Sequence, residues 1–99
     1  MRRGTTPTHT FTIPFSVNNV ADALIVYAQG EEEVLRKTVR HCHMDGNTLS
    51  VDLTQEETFL FNCNKKVQIQ VRVLTTEGKA LASNIITTDV AKCLSNEAL

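Results

Sequence analysis

The residues with the clearest potential for metal chemistry are two histidines that flank a cysteine, in the run His41-Cys42-His43. Alternate side chains of a β-strand share a face, so His41 and His43 could chelate a metal ion. A third ligand would come from elsewhere, for example His9 or Cys63. Zinc sites usually take closely spaced ligand pairs, however, and no CxxC or HxxxH spacing occurs. We therefore predict a polar strand end with Cys42 inward and no metal or cofactor, with a metal-dependent module as an alternative.

No arrangement of residues predicts catalysis, and we expect the protein not to be an enzyme. A cysteine–histidine pair exists at Cys42, but no acid, oxyanion loop or nucleophile turn accompanies it. A solvated hairpin edge explains the three glutamates at 31–33, and no glycine-rich phosphate cradle occurs. No Lys or Arg interleaves with the aromatic residues as in a base-stacking surface, so these are predicted to lie in the core. They are Phe11, Phe15, Tyr27, Phe59 and Phe61.

Three cysteines, Cys42, Cys63 and Cys93, cannot all pair within one chain. The opening Met1-Arg2-Arg3 leads into Gly, Thr and Pro and not into an apolar run, so no signal peptide is predicted. We therefore expect free thiols in a reducing compartment, where each cysteine acts as a small apolar residue. One disulfide or a reactive thiol is the alternative.

Length and charge balance argue against several classes of function. A chain of 99 residues forms a single domain, 1–99, with room for one core but little for a deep active-site cleft. Ten Lys and Arg balance eleven Asp and Glu, so no surface for nucleic acid is predicted. No apolar run reaches the ~18–20 residues of a membrane span, and no membrane partner is expected. The ends, 1–8 and 91–99, are predicted either to be flexible arms or to dock onto a neighbouring subunit.

The chain is predicted to be β-structured throughout. Val, Ile and Thr account for 28 residues, and such β-branched side chains pack well on pleated sheets. The clearest strand is 66–73, in which apolar and polar residues alternate strictly. Its apolar face carries Val67, Ile69, Val71 and Val73. Its polar face suits a binding partner as well as it suits solvent, and carries Gln68, Gln70 and Arg72.

Two further strands are predicted at 8–13 and 23–28. Pro14 removes a ladder donor, which places the strand 8–13 at a sheet edge or ends it there. The continuously apolar strand 23–28 is expected to be covered on both faces or to lie near the centre of the sandwich.

Three more strands are predicted at 33–42, 48–53 and 80–90. Leu35 and Val39 are the expected inward residues of the first. The second is expected to place three apolar residues on one face, Leu49, Val51 and Leu53. The third keeps no single period and is predicted to be one long strand interrupted at Ser83-Asn84.

Turn and helix signals agree with this order of strands. Glycine, which can supply the positive φ of a tight turn, lies between strand patterns at Gly30, Gly46 and Gly78. Thr54 and Glu57 form a capping box that predicts one short helical turn near 55–58. The pattern predicts an all-β fold, an immunoglobulin-like antiparallel β-sandwich of six or seven strands. The lack of Trp argues against a true antibody-type domain.

Three stretches of the sequence are distinctive as strings. The first is Arg2-Arg3-Gly4-Thr5-Thr6-Pro7-Thr8-His9, followed by Phe11 and Pro14-Phe15. The second is Gly46-Asn47-Thr48, leading into Leu53-Thr54-Gln55-Glu56-Glu57-Thr58. The third joins Val67-Gln68-Ile69-Gln70-Val71-Arg72-Val73 to Ala80-Leu81-Ala82-Ser83-Asn84-Ile85-Ile86. Together they resemble a family of small proteins encoded in phages and prophages of Gram-positive Firmicutes, and the helical turn resembles sandwich modules of phage tail and baseplate proteins.

The resemblance implies a non-catalytic, phage-derived structural or protein–protein interaction module of the virion, in the tail, baseplate or head–tail connection. Its expected partners are other phage structural proteins or further copies of itself in a homo-oligomer, contacted through edge strands and the terminal arms. Synthesis is expected in the cytoplasm of a bacterial host, with assembly into the virion. The family supplies no catalytic residues, and His41, His43 and Cys63 are not among its hallmarks. The alternative is a small monomeric prophage regulator or inhibitor that binds a host protein.

Overall fold

Two antiparallel β-sheets make up the fold in a computed structural model that describes all residues 1–99. The strands are β1 (Thr8–Thr12), β2 (Val20–Gln29), β3 (Glu32–Thr38), β4 (Cys42–Asp45), β5 (Thr48–Asp52), β6 (Val67–Thr75), β7 (Ala80–Ala82) and β8 (Ile86–Thr88). Short 3-10 turns lie at Val17–Asn19 and Val39–His41, and one α-helix, α1, spans Gln55–Thr58. None of these helices has the length and apolar character needed to cross a membrane.

The two sheets confirm the predicted all-β, sandwich-like architecture. The smaller sheet has the strand order β1-β5-β4, and the larger one has the order β3-β2-β6-β7, with β8 also paired to β6. Every strand pair is antiparallel. The structure has eight strands instead of the predicted six or seven, because two of the predicted strands are each divided into two shorter ones.

The first divided strand is the one predicted at 33–42. β3 ends at Thr38, a 3-10 turn follows, and β4 begins at Cys42 in the other sheet. The Nδ1 atom of His41 accepts a hydrogen bond from the backbone N–H of Thr38 at 3.1 Å, which caps this turn. The chain changes sheets where its apolar alternation is weak, so the prediction of one continuous strand here is wrong.

The second divided strand is the one predicted at 80–90, and its interruption at Ser83-Asn84 is confirmed. β7 and β8 pair with different parts of the same edge of β6. Between them, the Ser83 N–H donates to the Val71 carbonyl at 2.8 Å, and the Ser83 hydroxyl accepts from the Val71 N–H at 3.0 Å. Because Ser83 replaces the missing strand partner, β7 and β8 stay in one sheet across the break.

The core lies between the sheets and is built from inward-facing residues of β2, β5 and β6. Their buried apolar side chains are Ala23, Ile25, Tyr27, Leu49, Val51, Val67, Ile69, Val71 and Val73. This confirms the alternation predicted for 66–73 and 48–53. β2 lies between β3 and β6, so the central position predicted for 23–28 is also confirmed, although its outer face is only half-buried.

Residues 53–66 form the segment that crosses from the smaller sheet to the larger one. The segment begins with the predicted capping box, which the structure confirms. Thr54 Oγ1 accepts from the Glu57 N–H at 3.1 Å, and Glu57 Oε1 accepts from the Thr54 N–H at 2.9 Å. The buried Gln29 side chain holds the far end of the crossing. Its amide donates to the carbonyls of Asn62 and Lys65, and its side-chain carbonyl accepts from the Asn62 N–H.

The two ends of the chain lie side by side, next to α1. The Arg3 N–H donates to the Ala91 carbonyl at 3.1 Å, and the Ala91 N–H donates to the Met1 carbonyl at 2.7 Å. Gly4 has a φ of 76° and passes so close to the Phe59 ring that a Cβ would lie 2.7 Å from it. A side chain at Gly4 would therefore be strained and would also displace the ring. In the structure the two predicted arms contact each other.

Candidate functional site: the open edge of the sandwich

The structure gives His41, Cys42 and His43 separate environments. His41 caps its turn, the Cys42 thiol lies half-buried against the core, 3.4 Å from the Thr38 carbonyl, and His43 is exposed on β4. Burial raises the pKa of the Cys42 thiol, against the opposing effect of the Lys37 charge, so the reactive thiolate is disfavoured. No three His, Cys, Asp or Glu side chains are grouped to hold a metal ion, and the three cysteines are unpaired.

His9, one of the two residues predicted as a possible third metal ligand, lies half-buried against the buried rings of Tyr27 and Phe61. Its Nδ1 lies 2.7 Å from the hydroxyl of Tyr27, and the Tyr27 ring packs edge-on against Phe61. Burial, together with the positive N-terminal amine, lowers the pKa of His9 below its ordinary value of 6.5. Burial likewise raises the pKa of Tyr27, so the pair is a neutral hydrogen bond that stabilises the core.

Lys37 is a buried charge that the sequence analysis did not single out, although its spacing from Leu35 and Val39 places it on their face of the strand. It lies between Leu35 and Val39, which pack against the core as predicted, each half-buried. The Lys37 side chain is only 9% exposed, and its Nζ lies 2.7 Å from Oε2 of Glu57. Burial alone would raise the pKa of Glu57, but the hydrogen bonds from Lys37 and Thr54 outweigh it and lower the pKa. This pair joins β3 to α1.

The polar face of β6, considered above as a binding row, is partly used within the fold. Gln68 and Arg72 are exposed, whereas the amide of Gln70 donates to the Ser83 carbonyl at 3.1 Å. That bond supports the break between β7 and β8. The row therefore offers two free side chains and no enclosed site.

An apolar groove of about 430 Å³ runs along one side of the sandwich, which we call the open edge. One wall is formed by residues 10–15, on and after β1. The other wall is formed by Val71 and Val73 of β6, by residues 81–83 and by Ile86. None of the lining residues is charged. The groove is therefore suited to an apolar, uncharged partner and not to an ionic substrate.

Two residues of the groove lie on the core-facing side of their sheet and yet are exposed. Leu81 is opposite Val73 in the strand register, and Ile86 is opposite Ile69, so each shares the face of a buried neighbour. Leu81 is nevertheless 45% exposed and Ile86 is 46% exposed. The smaller sheet ends at β1 and leaves this strip uncovered. One side of the sandwich thus lacks the strand that would close it.

The outer edge of β1 carries unpaired backbone groups. β1 pairs only with β5, and the Ile13 N–H donates to the Asn47 carbonyl at 2.8 Å, so odd-numbered residues of β1 bond toward β5. The N–H and C=O groups that point the other way, along the rim of the groove, belong to Thr8, Thr10 and Thr12. The prediction that Pro14 marks an edge strand is confirmed, because β1 is the first strand of its sheet.

Other sheet edges are protected in ways that β1 is not. β3 carries Glu32 and Glu33 at its exposed start, and Glu33 forms a 2.7 Å ion pair with Arg36. β4 has four residues and ends at Asp45, and β7 and β8, which form the other edge of the larger sheet, have only three residues each. Charged side chains and short length both discourage edge-to-edge pairing. β1 has five residues and no acidic or basic one apart from His9, which points inward to Tyr27.

Comparisons with known proteins do not assign the chain to a family. No protein-family model, curated protein or solved structure matches it.

The open edge is the feature of the structure that the sequence analysis did not predict. Its signal in the sequence is the irregular apolar pattern of Leu81, Ile85 and Ile86, which no single sheet face can bury.

Proposed function

We propose that the protein is a non-catalytic module that acts by binding other protein chains through the open edge. The supporting observation is the uncovered core-facing strip at Leu81 and Ile86, beside an unpaired strand edge. Removing apolar surface from water contributes about 25 cal/mol per Å² of area buried. A partner that covers this strip therefore gains binding free energy, because it buries apolar surface that a further strand of the smaller sheet would otherwise cover.

The proposed setting is a phage or prophage, with the protein as a structural component of the virion in the tail, baseplate or head–tail connection. Support for this setting comes from the resemblance of the three sequence stretches described above. The proposed partners are other phage structural proteins or further copies of this chain. Virion components act through repeated protein contacts, which agrees with a domain that offers an apolar edge and no reactive cluster.

The experiment that tests this proposal is size-exclusion chromatography with light scattering at two protein concentrations. The protein is run alone and mixed with the products of neighbouring genes. We expect a mass above the 11.0 kDa of one chain, either alone or in such a mixture, and a larger assembled fraction at the higher concentration. The variant L81D, which places a charge on the uncovered strip, is expected to lower the assembled fraction.

Two results would count against the proposal. A monomer at both concentrations that forms no complex with any neighbouring product would favour the alternative, a monomeric regulator that binds a host protein. Assembly that L81D leaves unchanged would locate the contact elsewhere on the molecule. The matched control is I85D, because Ile85 is also exposed but lines a depression on the outer face of the larger sheet, with Leu24 and Val26.

A further inference from the structure

The geometry points to strand addition as the way in which the open edge binds its partner. We propose that one isolated extended segment of another protein pairs with the outer edge of β1 and lays its apolar side chains over Leu81 and Ile86. This inference rests on the proposed function and adds to it the conformation and chemistry of the bound segment. A single added strand would lengthen the smaller sheet to four strands and close the sandwich.

Backbone pairing is the first requirement, and β1 meets it. The three threonines Thr8, Thr10 and Thr12 each present an unpaired N–H and C=O along the rim. Neighbouring strands lie ~4.7–4.9 Å apart, so a segment bonded to these groups would lie beside β1, above the uncovered strip. The row of donors ends at Pro14, which has no N–H. The paired segment is therefore short, about five residues long.

Side-chain chemistry is the second requirement, and it defines the segment. Successive residues of a strand face opposite sides, so every second side chain of the segment would enter the groove. The groove lining is mostly apolar and carries no charge, which calls for residues such as Val, Ile or Leu at these positions. The outer face of β1 is a row of exposed threonines, so the intervening residues of the segment are polar.

A second copy of this chain does not fit the open edge by pairing its own β1. Two antiparallel β1 strands would be related by a twofold axis perpendicular to the sheet. Since β7 lines the groove beyond β1, that axis would bring β6 and β7 of the second copy into the space of the first. A strand that is not part of a two-sheet sandwich brings no second sheet with it and avoids this clash. The structure therefore favours a detached segment, such as a terminal arm or a loop, over a whole sandwich edge.

The test uses a synthetic peptide of alternating valine and threonine with a pair of lysines at each end for solubility. The control peptide has the same composition with the alternation scrambled. Binding to the full-length protein is measured by fluorescence anisotropy, and amide hydrogen exchange reports on Thr8, Thr10 and Thr12. We expect saturable binding of the alternating peptide only, with slower exchange at these three threonine amides. Companion peptides with isoleucine or leucine in place of valine cover other apolar side chains.

Two pairs of variants separate backbone pairing from apolar contact. T10P removes the central outward N–H without removing a bond to β5, and T10A is its matched control because both lose the Thr10 hydroxyl contact with Ser50. L81D places a charge in the groove, and I85D places one on the opposite face. We expect T10P and L81D to weaken peptide binding at least tenfold, and T10A and I85D to leave it within threefold.

Three outcomes would overturn strand addition. The first is no binding of any alternating peptide up to about 1 mM, the weak end of measurable affinity. The second is equal binding of the scrambled peptide. The third is a T10P variant that binds as T10A does, while L81D still abolishes both peptide binding and assembly. In that third case the open edge remains a binding surface and the proposed function stands, whereas the partner does not bind as a strand.

Discussion

At the residue scale, several polar side chains have structural tasks. His41 caps a turn, His9 bonds to Tyr27, and Lys37 is buried against Glu57. The His9–Tyr27 and Lys37–Glu57 contacts join parts of the chain that are distant in the sequence, and the His41 bond stabilises the turn after β3. The two-residue spacing of Leu35, Lys37 and Val39 places Lys37 on the inward face of its strand, but the local sequence does not show its partner, which lies 20 residues away.

The Lys37–Glu57 pair gives a prediction about stability. Glu57→Gln keeps an acceptor for the Thr54 N–H, but leaves the Lys37 ammonium buried without its counter-charge. We expect a loss of about 2–4 kcal/mol in the free energy of unfolding, measured by urea denaturation, because an unpaired buried charge is costly. Adding Lys37→Met to the Glu57→Gln variant should recover at least half of this loss in the free energy of unfolding, since it removes the unpaired charge. Equal stability of Glu57→Gln and the wild type would show that Lys37 does not depend on this carboxylate.

At the element scale, the strands alternate as the sequence predicts, and the differences lie where strands end. Alternation survives in β5 and β6 because one face of each is buried. The break between β7 and β8 and the turn after β3 are fixed by single side chains, Ser83 and His41, that bond to the backbone of another residue. Such bonds require two residues to be close in the folded chain, which the sequence alone does not show. The sequence therefore indicated an interruption at Ser83 but not the hydrogen bonds that define its geometry.

Gln29 gives a prediction at this scale, because it ties the end of β2 to the crossing loop. Gln29→Leu keeps the size of the side chain but leaves three partners without a hydrogen bond, the carbonyls of Asn62 and Lys65 and the N–H of Asn62. We expect a loss of about 2–4 kcal/mol in the free energy of unfolding and faster amide exchange in the loop. The control is Gln68→Leu, an exposed position that should change stability by less than about 0.5 kcal/mol. Similar effects of the two substitutions would contradict the structural role of Gln29.

At the scale of the whole molecule, the main feature is an unequal pair of sheets. Three strands face five, and β7 and β8 extend beyond the last strand of the smaller sheet. The exposed apolar strip at Leu81 and Ile86 follows from this inequality, and its only sign in the sequence is the irregular apolar pattern around these residues. The stability of the molecule as a whole also depends on two ionisable groups outside that strip, His9 and Glu57.

The pH dependence of stability follows from these two groups. The pKa of His9 is lowered below 6.5 in the folded state, so its contribution is present above pH 6.5 and is lost as the pH falls toward the folded pKa. The pKa of Glu57 is lowered below 4.5, so its contribution is lost as the pH falls below 4.5. We expect urea midpoints to decrease on acidification in two phases. His9→Gln should remove the upper phase and keep the lower one, and an unchanged profile would exclude His9 as its source.

The sequence by itself determined the local features of this protein. Strict alternation defines β5 and β6, glycine and the Thr54–Glu57 capping box define the turns between strands, and Pro14 marks β1 as an edge, because each signal acts within a few residues. Only the tertiary structure decided which strands are neighbours and how far each sheet extends. The groove and the buried Lys37 depend on that pairing. Sheet pairing is set by the burial of one shared core, a property of the whole chain that no single segment encodes.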